Sequence, residues 1–306
     1  MSDMKTVTSV RENIDVRSDW IALALRAGIG LVFLIGGWNK LSQLIDPTRE
    51  TAIVATYTSP HSYINAFFTN YLFTGTFGEW LTPWSFLTLL STFELVSGLA
   101  LIAGLLVRPL ALTWGLLLWT FVMALPVVTA PGVEVDVNTY TSPAMLVQIR
   151  DIGLSGIAFV LFNLGSGAFS LDARLFGQAA TTQPESWDNL GLVMRLSVAL
   201  PILVGGTFAG LDHIQNFAST PWLLVPLGIL LASGTRVRAA GVVVAAITLW
   251  VMWTKLSLDK SLIVNLNSVK REFAFLAAGI VLASVGGGVK FTLAQAGAKA
   301  RQFLSA

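Results

Sequence analysis

Cysteine is absent from this 306-residue chain. That excludes disulfides, thiol exchange, iron–sulfur clusters and Cys-ligated metals. It leaves the compartment open, because a chain without thiols is indifferent to redox conditions. Histidine is scarce: His61 and His213 are the only two. Haem sites usually take their ligands from packed helices, and neither residue has that context, so no haem is expected. Charged residues make up only 12%, against roughly 25% in soluble domains. The net charge of +2 offers nucleic acid little to bind. No phosphate loop, zinc motif, dinucleotide fingerprint or hydrolase elbow is present, and no metal site is expected. Residues 1–19 are polar and mixed in charge. The apolar run after them is too long for a signal peptide and lacks a small-residue cleavage site.

What the chain has is apolar length. Hydrophobic residues make up 54%, gathered in several runs of about 18 residues or more, the length needed to cross a bilayer. The reading is an all-α polytopic protein with about eight transmembrane helices and the lipid bilayer as a partner. The first four helices are predicted at 20–44, 83–107, 110–128 and 147–169, with a tight turn at Arg108-Pro109. The last four are predicted at 192–208, 221–233, 239–255 and 271–289. An aromatic connection over 45–82 suits an interfacial helix around 62–73. Tryptophans such as Trp20, Trp84, Trp114 and Trp253 suit an aromatic belt.

A repeat runs through these helices. Arg26 and the pair Gly36-Gly37 recur as Arg195 and Gly205-Gly206, an offset of 169. The second and sixth helices match at 130, through Gly98/Gly228, Gly104/Gly234 and Arg108/Arg238. The fourth and eighth match at 121, through Arg150/Arg271, Asp151/Glu272, Gly165/Gly286 and Gly167/Gly288. Registers hold inside helices and slip only in loops, as a duplicated unit with loops of unequal length would produce. The expected divisions are a cytoplasmic segment at 1–19, a first four-helix bundle at 20–175, a linker at 176–191, a degenerate second bundle at 192–293, and a tail at 294–306. Four helices per half make the repeats parallel. With both termini inside, twelve Lys and Arg fall on the inner side and seven on the outer. That bias fits cytoplasmic termini in a bacterial or archaeal inner membrane.

Glu94 lies about eleven residues into the second helix, roughly 16 Å deep at 1.5 Å per residue, where an acid normally faces the bundle interior. It reads either as a proton-handling, quinone-facing carboxyl or as a protonated carboxyl bonded to a neighbouring helix. Lys40 ends the first helix on the outer side. It either snorkels to the interface or joins Trp38, Asn39, Glu94, Arg150 and Asp151 in an outward-opening polar pocket. Arg150 and Asp151 open the fourth helix, as a helix-start charge pair or as pocket members. Adjacent helical residues do not share a face, so each is expected to reach a different neighbour. Arg271-Glu272 repeats that arrangement. Phe208 and Ala209 stand where Asn39 and Lys40 would recur, so chemistry is expected in the first half. Arg26 and Arg195, close to the inner surface, read as phosphate anchors. The catalytic candidates are Glu94, Lys40, Arg150 and Asp151; the cofactor-contact candidates are Trp38 and Asn39.

The Glu-x-x-x-Gly-Leu-x-Leu-x-x-Gly-x-x-x-Arg run over 94–108 and the Gly-x-Gly-x-x-Ser-Leu-Asp run ending at Asp172 resemble the DoxX/DoxD family of four-helix membrane proteins. The long first loop and the Pro-Trp-Ser before the second helix look more like the DoxD branch, the membrane subunit of thiosulfate:quinone oxidoreductases. The likeness covers 20–175 well and 192–293 weakly. It implies a membrane subunit in which quinone is reduced, as a substrate, by an outer-side donor such as thiosulfate. It also implies a further membrane or periplasmic subunit as partner. The reading from another class is a non-catalytic accessory subunit packed against a larger membrane complex, which small residues such as Gly98, Ala100, Ala103 and Gly104 suit. Parallel repeats without a clearly broken helix pair give a transporter little support.

Overall fold

The structure, a computed structural model, describes residues 2–60, 62, 64, 66–125, 138–139, 142–177, 184–207, 221–293 and 295–296. Regular structure among them is helical, apart from a two-residue antiparallel pairing of β1 (Asn138–Thr139) with β2 (Ser142–Pro143). The long helices of the first half are α1 (Ser2–Leu44), α5 (Pro83–Ala103), α6 (Val107–Ala124) and α7 (Ala144–Leu164). Those of the second are α9 (Pro184–Thr207), α10 (Pro221–Ser233), α11 (Val237–Lys255) and α13 (Glu272–Val285). Short helices fill the connections: α2 (Glu50–Tyr57), α3 (Ala66–Leu72), α4 (Gly75–Gly78), α8 (Leu171–Phe176) and α12 (Leu262–Val269). Six long helices contain stretches long and apolar enough to cross a membrane; α10 and α13 are apolar but shorter. At 1.5 Å per residue, the 13 residues of α10 reach only about 20 Å, against a core of roughly 30 Å.

Several boundaries differ from the sequence reading for definable reasons. α1 runs back through the polar segment, because residues 2–19 contain no proline or glycine to stop it. The turn after α5 is not at Arg108-Pro109. It is a Schellman close at Gly104 (φ 76°), with the Gly104 N–H on Leu101 and the Leu105 N–H on Ala100. Arg108 and Pro109 instead sit in the first turn of α6, where a missing N–H is harmless. The same close recurs at Gly234 (φ 73°), with Gly234 on Leu231 and Thr235 on Leu230. α7 stops at Leu164, short of Phe169, because Gly165 and Gly167 take φ of 81° and 72°. Gly286 and Gly288 end α13 in the same way, at 82° and 68°.

The halves interlock instead of forming two separate bundles. Within each half, the first helix packs on the second and the third on the fourth: α1 on α5, α6 on α7, α9 on α10, α11 on α13. The larger remaining contacts of the first and fourth helices cross between halves, α1 with α13 and α9 with α7. The spans of α1, α7 and α9 are accordingly 67%, 67% and 61% buried, against 33–39% for α5, α6 and α11. Small residues make the crossings possible. A Cβ on Gly28 would stand 2.8 Å from the Phe273 carbonyl, and one on Gly153 would stand 2.6 Å from the Ser197 carbonyl. In lipid, helix association rests on such close packing, not on hydrophobic burial.

Arg26 and Arg195 are 2% and 0% exposed, so they are not phosphate anchors. Arg26 donates through Nη1 to the carbonyls of Leu101 and Ile102 and through Nη2 to that of Phe169. Arg195 donates through Nη1 to Leu231 (3.2 Å) and Ala232 (2.5 Å), and through Nη2 to Lys290 (2.6 Å) and Phe291 (3.1 Å). These carbonyls include the orphans of a helix end, which a cation both bonds and balances electrostatically. The partners fall on the offsets of 130 and 121 read from the helices. A second matched contact has Asp19 accepting the Ala168 N–H (2.6 Å) and Asp188 accepting the Val289 N–H (3.1 Å). Asp172 instead serves the first half alone, taking the N–H groups of Leu106 (2.8 Å) and Val107 (3.0 Å) at the start of α6.

Replacing Arg26 or Arg195 by Lys keeps the charge but loses the fork. Each change is expected to cost about 2–4 kcal/mol, seen as a lower thermal unfolding midpoint in lipid nanodiscs. A phosphate anchor would tolerate lysine.

Candidate functional site

The site begins where α1 and α5 touch. A Cβ on Gly37 would lie 2.6 Å from the Ser91 carbonyl and 2.9 Å from the Glu94 Cβ. A Cβ on Gly30 would lie 2.8 Å from the Gly98 carbonyl. With the two backbones this close, Lys40 near the end of α1 forms an ion pair with Glu94, part-way down α5. Their side chains are only 11% and 8% exposed. Lys40 therefore turns inward and does not snorkel. In a low-dielectric interior each charge needs the other, and removing one strands its partner. Tyr57 of α2 covers the pair, with Lys40 Nζ 5.8 Å from its ring centre, a cation–π distance. Burial pushes the Tyr57 phenol up; the charge of Lys40 opposes this and that of Glu94 adds to it.

A cavity of about 520 Å³ opens beside this pair. Val32, Phe33, Leu87, Leu118 and Phe121 contribute apolar wall, and Asn39, Lys40, Glu94, Arg150 and Asp151 contribute polar wall. Of the six residues expected from sequence, the fold thus brings five together. Trp38 stands apart, 53% exposed and outside the lining. It is two residues from Lys40, about 200° around the helix, and cannot share its face. Arg150 and Asp151 pair with each other: Arg150 reaches Asp151 Oδ1 through Nε (2.8 Å) and Nη2 (2.7 Å). A long guanidinium can fold back over one residue, and at 3% and 4% exposure the attraction is strong.

The second half enters the same cavity through Asn267, Lys270 and Arg271, against the expectation that only the first half matters. The signal was present in the Lys-Arg-Glu run at 270–272; what was hidden was the crossing of α13 onto α1. Lys270 Nζ donates to Asn267 Oδ1 at 2.7 Å. Burial holds the Lys270 ammonium well below its ordinary range, and the charges of Arg271, Lys40 and Arg150 add to this while Glu94 opposes it. Glu272 pairs with Lys255 at 2.8 Å and lies outside the lining.

The walls are held rigidly. Phe33 stacks on Trp114 with centroids 3.4 Å apart. The Trp114 Nε1–H donates to Ser97 Oγ (3.0 Å), tying α6 to α5. Trp114 is thus fully buried and not a belt residue. The Ser155 hydroxyl donates to the Gly115 carbonyl (2.7 Å), and Gln148 Nε2 to the Val122 carbonyl (3.0 Å), tying α7 to α6. His61, His213, Phe208 and Ala209 lie outside the described residues. Chemically, a buried ammonium–carboxylate pair can pass a proton, and a cluster of cations can hold negative charge.

Residues 21–130 match the family model DoxX. The match takes in Lys40 and Glu94 but neither Arg150-Asp151 nor any of the second half. No curated protein and no solved structure matches the chain.

Lys40→Met alone should cost about 3–5 kcal/mol by leaving Glu94 unpaired. The double variant Lys40→Met/Glu94→Leu should recover most of that, as read from thermal unfolding in nanodiscs. Because its ammonium is held low, Lys270 carries more neutral amine at neutral pH than an ordinary lysine. Acylation followed by peptide mass spectrometry across a pH series should therefore show the Lys270 labelling rate reaching half its plateau at a lower pH than that of exposed Lys260; the same midpoint in both would contradict the shift.

Proposed function

We propose that this protein is a membrane subunit of a quinone-linked oxidoreductase, with the cavity receiving the quinone headgroup. The carrying observation is an apolar-walled cavity that ends on an ion pair, Lys40–Glu94, inside the membrane-spanning helices. Reducing a quinone takes two electrons and two protons. The electrons come from a donor or a partner subunit, for which the likeness to the thiosulfate-oxidising branch suggests thiosulfate at the outer side. The protons need a titratable group at depth, which is the role given to Glu94, with Lys40 donating a hydrogen bond to a quinone oxygen. Arg150 and Asp151 would set the charge around that group, and Asn39 would contact the ring near the entrance. The match to the DoxX family model supports the reading as far as residue 130.

We also infer that the chain is a tandem duplication of a DoxX-like unit, with a divergent second half. Support comes from the matched contacts of Arg26 with Arg195 and of Asp19 with Asp188. The reading puts both termini in the cytoplasm of a bacterial or archaeal cell, supported by the bias of Lys and Arg. The accessory-subunit reading draws on Tyr71, Phe77 and Trp80, exposed on and beside short helices outside the spans.

The test is thiosulfate-dependent reduction of decylubiquinone by the nanodisc protein. Glu94→Gln and Lys40→Ala, checked for folding, should each lower the rate at least tenfold. Wild-type rates in both would end the proposal. No turnover by the wild type, with a stoichiometric large partner on native purification, would favour the accessory subunit.

A further inference from the structure

Lys40 and Lys255 each have an acid as partner, Glu94 and Glu272. Lys270 does not. Its Nζ donates to the Asn267 amide oxygen at 2.7 Å, and it makes no ion pair among the described residues. An ion-paired ammonium has no lone pair to offer, whereas an amine beside a neutral amide can have one. Lys270 is half-buried, on the wall of the cavity, between α12 and α13. Burial holds its ammonium well below the ordinary range. The charges of Arg271 beside it, Lys40 on α1 and Arg150 on α7 add to this, and that of Glu94 on α5 opposes it. Enclosure next to other cations is how a lysine becomes a nucleophile at neutral pH.

A proton carrier stands beside it. Glu94 takes Lys40 on Oε1. Its Oε2 and Lys270 Nζ each lie 3.5 Å from where a Cβ on Gly36 would stand. Glycine there lets the carboxylate and the amine approach each other across α1. The same cavity supplies apolar wall, from Val32, Phe33, Leu118 and Phe121. An enclosed amine with an acid–base group in reach is equipped to attack a carbonyl. We propose that Lys270 is a nucleophile that condenses with an apolar aldehyde or ketone bound in the cavity. The amine nitrogen bonds to the carbonyl carbon, and the carbonyl oxygen takes a proton. The carbinolamine then loses that oxygen as water, leaving a C=N bond. Both hydrogens of the water come from the amine, carried by Glu94, so no oxidant or reductant is needed. The proposal rests on the cavity being a ligand site, as the quinone reading does, but not on redox turnover.

The experiment treats the full-length protein in phosphatidylcholine nanodiscs with octanal and cyanoborohydride, which reduces an imine to a stable secondary amine. Peptide mass spectrometry then reads each lysine. Labelling of Lys270 should saturate as octanal rises, whereas that of exposed Lys260 should climb in proportion. Octanol, which can fill the cavity but cannot condense, should slow Lys270 at least tenfold and leave Lys260 unchanged. Acetaldehyde, without an apolar body, should show no saturation at Lys270. Lys270→Arg, checked by its unfolding midpoint, should remove the saturable labelling without passing it to Lys40. Glu94→Gln separates two roles of the carboxylate. As a mere countercharge Glu94 keeps the amine protonated, so its loss would speed labelling. As the proton carrier, its loss should slow labelling severalfold; faster labelling would overturn that role. No adduct at Lys270, or one that neither saturates nor responds to octanol, would overturn the proposal. Decylubiquinone separates it from the redox reading. Competition with octanal supports one shared cavity; saturable labelling that decylubiquinone leaves untouched keeps the nucleophile and ends the quinone site.

Discussion

A buried guanidinium organises each half of this molecule. Arg26 leaves the first third of a spanning stretch, Ser18–Leu44, and gathers carbonyls from the end of α5 and from the chain just past α7. Carbonyls at a helix end have no intrahelical donor, and here a side chain satisfies them. Three helices are thereby fixed at one level by one side chain. Arg195 does the same for α9, α10 and the chain past α13. With one end of each half fixed, the other end is free to open, and the cavity lies there.

The opening is shaped by glycine as much as by charge. Gly30, Gly37 and Gly98 bring α1 and α5 close enough for Lys40 to reach Glu94. Gly28 does the same for α1 and α13, and so carries Lys270 and Arg271 to the cavity. The ionisable groups therefore meet because side chains are missing elsewhere along the same helix. α1 is the common wall: one edge faces α5 of its own half and another faces α13 of the other.

Much of this was legible in the sequence. Apolar run length located the helices, and the spacing of Arg26 and Arg195 from their glycine pairs marked equivalent positions. Glu94 and Lys40 were conspicuous because ionisable groups in such runs are rare. What was not legible was which helix lies beside which. Registers within the halves identify matched helices but say nothing of neighbours, so the crossing of α13 onto α1 could not be read, nor the reach of Lys270. The fate of Arg26 was misread for a related reason. An arginine near a membrane surface looks the same in sequence whether it meets lipid phosphate or the carbonyl end of a distant helix. Trp38 was placed by proximity in sequence where angle around the helix should have decided.

The crossing has a consequence for biosynthesis. α1 leaves the ribosome long before α13. The face of α1 that carries Gly28 cannot find its neighbour until α13 has been made. Until then it is exposed to lipid, or to whatever insertion machinery holds it, with its small-residue groove unfilled. The α1–α13 contact spans a wide sequence separation, and contacts of that kind carry the larger loop-closure cost on folding. A chain that stops short of α13 holds Lys40 and Glu94 but lacks the helix that closes the wall around them.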